Sequence, residues 1–116
     1  MKKAYRIKRN EEFQEIFNAG KSFANRELVI YHVKKTNQTH FRIGLSVGKK
    51  LGNAVMRNQI KRYLREAFLS LEDNIKPDLD LIIIARNPTV NMDYHQIKRS
   101  LTHLLHRENL FKHKNK

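Results

Sequence analysis

Between Leu28 and Arg65 the chain has no aspartate or glutamate, yet it carries Lys34, Lys35, Arg42, Lys49, Lys50, Arg57, Lys61, Arg62 and Arg65. The last four recur at helical spacing. Guanidinium groups can grip phosphate oxygens through two parallel hydrogen bonds, so a row of them suits a polyphosphate partner. On a helix advancing about 100° per residue, with Arg57 at zero, Lys61 falls near 40°, Arg65 near 80°, Asn58 near 100° and Arg62 near 140°. Met56, Ile60, Tyr63, Leu64, Ala67 and Leu71 gather between about 240° and 340°. One arc is therefore cationic and the opposite arc apolar. Like charges four residues apart repel by a few tenths of a kcal/mol per pair. Nothing acidic intervenes to relieve them, which argues for a binding face over a mixed, solvated one. Asn58, set among the cations, could bond a 2′-hydroxyl or a base edge.

Other side chains invite chemistry less convincingly. Phe13 and Phe17 lie one helical turn apart, and Tyr31 sits in a later apolar run. Such rings either fill a core or stack on the bases of a single strand. From the residues alone the core reading is favoured for Phe13 and Phe17, and both readings stay open for Tyr31. Asp78 and Asp80 could share a strand face and hold a metal, but an aspartate beside Pro77 is ordinary turn chemistry. His103 and His106 are three apart, with His95 two turns earlier, and zinc would need further ligands of matching geometry. Gly48-Lys49-Lys50-Leu51-Gly52 lacks the spacing and the Lys-Ser/Thr ending of a phosphate-binding P-loop. Ser46 has no base partner in view. No catalytic residue and no protein-bound metal are expected.

The elements that must position these groups read as helix, strand, strand, helix, strand, helix. Asn10 is expected to cap a first helix with Glu11 and Glu12 in its first turn, and Gly20 to end it. Phe13, Ile16 and Phe17 form its apolar side. Leu28 to Val33 is a β-branched and aromatic run. Lys35 to Thr39 is a polar turn. Phe41, Ile43, Leu45 and Val47 then alternate with Arg42, Gly44 and Ser46, which predicts an antiparallel hairpin with the preceding run. A lysine-bearing loop at 48–52 leads into the basic helix, expected from Asn53 to Leu71. Leu79 to Ala85 is apolar enough for a strand buried on both faces. After Asn87-Pro88, Asp93 with Gln96 predicts a capping box and a last helix running to Phe111. Its core side is Ile97, Leu101, Leu104 and Leu105.

The whole chain of 116 residues suits one domain, 1–116, with a basic, frayed tail over 112–116. Twenty-four lysines and arginines against eleven acids give a charge of +13. That attracts polyanions, with nucleic acid the first expectation and an anionic membrane surface the second. A membrane-seeking helix would want a wide Leu/Trp face, and the chain has no tryptophan. The absence of cysteine excludes disulfides and thiolate metal sites. Met1-Lys2-Lys3 leads into a polar segment, so no signal peptide is expected.

The run Lys49-Lys50-Leu51-Gly52-Asn53-Ala54-Val55-Met56-Arg57-Asn58-Gln59-Ile60-Lys61-Arg62, continuing to Arg65-Glu66, resembles the signature helix of the bacterial ribonuclease P protein subunit. The likeness extends to Phe13 with Phe17, Ala24-Asn25-Arg26, the strand Phe41 to Val47, and Ile82-Ile83-Ile84-Ala85-Arg86 before Pro88, and covers about residues 4–111. One departure is Gln59, where the family has a further basic residue, and one phosphate contact is expected to be missing there.

The resemblance implies an α/β (α+β) two-layer sandwich in α-β-β-α-β-α order with a left-handed β-α-β crossover, against the usual right-handed rule. It implies a cytoplasmic protein that assists a catalytic RNA in magnesium-dependent removal of the 5′ leader from precursor tRNA. The RNA carries the hydrolysis; the protein binds no cofactor itself and is inactive alone. Partners would be the catalytic RNA and precursor tRNA, with no membrane and no small-molecule substrate. By the same resemblance Lys49, Lys50, Asn53, Arg57, Asn58, Lys61, Arg62 and Arg65 face the catalytic RNA. Phe13, Phe17, Tyr31 and Arg42 line a cleft for the single-stranded leader. The competing expectations are a ribosomal or RNA-chaperone module with no role in cleavage and a protein-only nuclease.

Overall fold

The computed structural model describes residues 2–112. Helix α1 (Asn10–Ala19) is followed by strands β1 (Lys21–Ala24), β2 (Leu28–Lys34) and β3 (Arg42–Ser46), helix α2 (Ala54–Leu71), strand β4 (Leu79–Ala85) and helix α3 (Tyr94–Arg107). The expected order is present with one addition, β1. That strand is four residues long and mostly exposed, so it carries no alternating apolar pattern to announce it. It forms because β2 offers an edge, pairing Lys21 with His32 through Ala24 with Val29.

The sheet runs β1-β2-β4-β3, and this corrects the expected β2–β3 hairpin. Strand β4 lies between the two, antiparallel to β2 and parallel to β3. The reason is the composition of β4: its seven residues are all buried except half-buried Ile84, and only a central strand has neighbours on both edges and cover on both faces. The polar turn need only step across one strand, about 10 Å. It is pinned to the start of β4, where Lys35 N–H donates to Asp78 O at 2.8 Å and Gln38 Nε2 to Leu79 O at 3.0 Å. The β3-α2-β4 unit is the parallel crossover.

The two faces of the sheet are covered unequally. Leu28, Ile30, Ile43, Leu79, Leu81 and Ile83 point toward α2 and α3 and meet Ile60, Leu64, Phe68, Ile97, Leu101 and Leu104 in the main core. On the other face α1 sets Ile16 against Ile82 and Ile7, with Phe13, Phe17, Tyr31, Val33 and Ile84 half-buried around them. The expected sandwich is thus β-sheet against α2 and α3, with α1 as partial cover behind.

Local signals behave mostly as the residues dictate. Asn53 caps α2, its Oδ1 accepting from Met56 N–H at 3.0 Å. Asp93 and Gln96 form the expected capping box, both bonds at 2.9 Å. The cap of α1 is a correction: Arg9 occupies the N-cap with no side-chain bond, and Asn10 is already helical, while Gly20 is the C-cap. Helix α3 stops at Arg107, short of Phe111. Asn109 turns the chain at φ 58° and Leu110 folds back to bond Leu105 O. Burying Leu110 in the core and bridging Phe111 to Ile75 ends the helix early. Among the described residues no helix is long and apolar enough to cross a membrane. Of the frayed tail expected at 112–116, Lys112 is anchored by its N–H donating to Asn74 O at 2.7 Å, and 113–116 lie outside the described residues.

Candidate nucleic-acid interface

The basic helix seats itself through Ile60, Leu64, Ala67 and Phe68, all buried. That orientation fixes where the cations go. Arg57, Lys61 and Arg65 run along one flank as half-buried side chains, with Asn58 and Arg62 exposed beside them. Half-burial of such a row presses the aliphatic stems of its long side chains against the protein. The Nε of Arg57 is buried without a hydrogen-bond partner among the described residues. Arg65 is held below the ordinary arginine value by burial and by the nearby charge of Arg6.

Arg6 is the residue that sequence reasoning missed. It lies far from the basic helix in the chain, among Lys2, Lys3, Lys8 and Arg9, and nothing in that cluster marks it as the one that reaches Arg65. The N-terminal segment runs beside the edge strand β3, with Arg6 bridged to Ile43 and Ile7 N–H donating to Ile43 O at 2.7 Å. This lays Arg6 next to Arg65 and extends the cationic flank beyond α2. Like charges gathered on one low-dielectric flank raise the local potential for an anion.

Lys49 and Lys50 are exposed on the turn that enters α2. Gly52 makes that turn possible: its φ of 138° is disfavoured for residues with a Cβ, which would also approach Met56 within 3.2 Å. Asn53, expected to face RNA, spends its Oδ1 on the helix cap and keeps only its amide nitrogen for a ligand. Gln59 departs from expectation more clearly. It sits on the other flank of α2, where Nε2 donates to Tyr63 Oη at 2.6 Å and Tyr63 meets Tyr94 of α3. At about 200° from Arg57 it stands off the cationic row.

The aromatic residues come together on the α1 face. Phe13 and Phe17 have ring centroids 6.2 Å apart, and Tyr31 meets Phe17 edge-on at 4.9 Å. All three are half-buried, so they serve as both packing and exposed surface. Gly44 opens the slot in which Phe13 lies, since a Cβ there would stand 2.7 Å from Phe13 Cζ. Half-buried Val29, Ile84 and Ser46 continue the floor on the same sheet face.

Arg42 is placed in this region but is already engaged. Its Nε and Nη2 hold the two oxygens of Asp80 at 3.0 and 2.6 Å, and Nη1 reaches Glu12 at 2.9 Å. Its hydrogen bonds to Asp80 lead in raising its pKa above the ordinary arginine value, against the opposing effect of burial. Arg42 therefore ties α1 to the sheet and neutralises buried Asp80. Asp78 instead lies 3.8 Å from Lys34. Among the described residues no group of three His, Cys, Asp or Glu side chains could hold a metal ion.

A family model described as Ribonuclease P matches residues 1–109. The ribonuclease P protein component of Oceanobacillus iheyensis is 66% identical over 112 residues, spanning 97% of this chain and 93% of the relative. Among solved structures, the Staphylococcus aureus RNase P protein superposes with a TM-score of 0.88 at 48% identity, covering 95% of this chain and 100% of that one. The RNase P protein from Thermotoga maritima gives a TM-score of 0.81 at 30% identity, covering 88% of this chain and 96% of that one.

Proposed function

The chain belongs to the ribonuclease P protein family, and on that premise we propose that it is the protein subunit of a ribonucleoprotein endonuclease that removes the 5′ leader of precursor tRNA. The observation that carries this reading is the separation of two RNA-suited surfaces on one small scaffold. The flank of Arg57, Lys61 and Arg65, with Arg6 beside it and Lys49 and Lys50 ahead of it, takes phosphates of the catalytic RNA. The cleft of Phe13, Phe17 and Tyr31 takes unpaired leader bases, because a ring stacks on any base at roughly 1–3 kcal/mol without reading its sequence. Asn58 and the exposed Arg62 complete the contact to folded RNA.

Hydrolysis belongs to the RNA, with magnesium supplied to the RNA-containing particle in the cytoplasm. The donor set of the protein supports that division. Asp80 is consumed by Arg42 and Asp78 turns to Lys34, so the described residues do not fit a magnesium site and no step runs through one. The protein contributes binding energy and orientation, and alone it is inactive.

The deciding experiment combines the protein with its cognate catalytic RNA and precursor tRNA at low magnesium. Leader cleavage should accelerate, and the acceleration should shrink as the leader is shortened. No acceleration would overturn the proposal. Acceleration indifferent to leader length would favour a general RNA chaperone.

A further inference from the structure

Helix α3 carries a second cationic face that neither surface above includes. Its inner side is Ile97, Leu101, Leu104 and Leu105. His95, Arg99, His103 and His106 recur on the outer side, flanked by Lys98 and Thr102, along a shallow groove. No acid occurs between Tyr94 and Arg107. Four basic groups elsewhere are paired: His32 with Glu108, His40 with Glu72, Lys34 with Asp78 and Arg42 with Glu12 and Asp80. Among the described residues no carboxylate pairs with Lys98, Arg99 or the three outer histidines; even Glu66, exposed on the neighbouring helix, forms no ion pair with them.

The row leads to a deeper groove of about 610 Å³ at the C-terminal end of α3. Leu71 and half-buried Phe111 give it apolar walls, and Asn74, Asn109 and His106 line it with polar groups. An apolar slot with amides at its rim suits a nucleobase, which stacks on a ring and bonds along its edge. The outer positions of α3 hold no large apolar side chain, so nothing there would enter a bilayer. The row is also remote from the first one. Tyr63 and Tyr94 join the two helices, and the Arg57 flank lies on the far side of α2 from that contact, which puts the rows on opposite sides of a two-helix layer. One phosphate track cannot serve both.

We propose that the outer face of α3, together with the groove beyond it, is a further RNA-binding surface for a single-stranded segment, with Lys98, Arg99 and His103 on phosphates and one base between Leu71 and Phe111. The choice of RNA as the polyanion rests on the function proposed above; the site itself rests on its own charge and shape. The test irradiates the full-length protein with a thiouridine-substituted oligouridylate and maps the cross-links. Cross-links should appear within residues 95–112 as well as in the α1 cleft. Lys98→Glu/Arg99→Glu should lower the first set about tenfold and leave the second in place. Arg99 is exposed on the outer side and Lys98 half-buried at its flank, and an unchanged melting curve verifies folding.

Lys34→Glu/Lys35→Glu, a matched reversal at the β2–β3 turn, controls for net charge. Equal loss in both variants, or no cross-link within 95–112, overturns the proposal. Binding to phosphatidylserine vesicles that depends on Lys98 and Arg99, with oligonucleotide cross-links unchanged, would overturn it in favour of a membrane. Wild-type protein that cross-links at α3 but fails to accelerate leader cleavage would sink the earlier reading and leave this one standing.

Discussion

The two faces of the sheet solve different problems with the same four strands. Toward α2 and α3, every inward side chain of β4 is apolar and buried. Toward α1, the same strand presents Asp80, Ile82 and Ile84, and the cover is one ten-residue helix. The first face is closed; its binding groups lie on the outer surfaces of its helices, and the core behind holds them rigid. The second face is left half open, and its binding groups are the half-buried core residues themselves. A closed core can lose an outer charge without structural consequence, whereas in an open cleft packing and recognition share the same rings.

Truncating a closed-face residue should give the largest stability loss with no change in specificity. Leu64→Ala removes a side chain with no solvent exposure and should cost about 3–4 kcal/mol in denaturant unfolding. A loss below 1 kcal/mol would mean that the closed face repacks freely. Asp80→Ala tests what anchors the open face. It removes the buried partner of Arg42 and should cost about 2–3 kcal/mol, less than a fully buried pair because Arg42 remains a quarter exposed and keeps Glu12. If the variant were as stable as the parent, Glu12 alone would suffice to hold α1. Phe17→Ala should show the smallest stability effect, roughly 1 kcal/mol for a half-buried ring. Its mark should instead be about a tenfold loss of preference for precursor over mature tRNA in equilibrium binding, the value of one stacked base. Equal weakening of both RNAs would detach the cleft from the leader.

Much of this was legible in the chain because it depends on neighbours a few residues apart. The packed and cationic arcs of α2, the burial of β4 on both faces and the Asp93–Gln96 box all follow from helical or strand periodicity and local hydrogen bonding. The resemblance to the ribonuclease P protein rests on the same kind of local run. Long-range arrangement was less accessible. The apparent hairpin of β2 and β3 arose because two alternating runs joined by a polar turn satisfy the local rules, and only the demand of β4 for two edges and two covered faces separates them. Strand β1 had too little apolar content to be seen. Arg42 looked like a free cation because its partner Asp80 stands 38 positions away.

The cationic stretch shows the division most clearly. The sequence by itself determined that positive charge is concentrated, that α2 divides into a buried arc and a donor arc, and that a polyanion is the natural partner. The tertiary structure decided which of those cations are available. It tied Arg42 to two carboxylates and brought Arg6 beside Arg65. It turned Gln59 toward α3 and set the unpaired row of α3 on the far side of the helical layer. Charge and periodicity are properties of contiguous residues. Availability is decided by which opposite or like charge the packed strands and helices bring within a few ångströms.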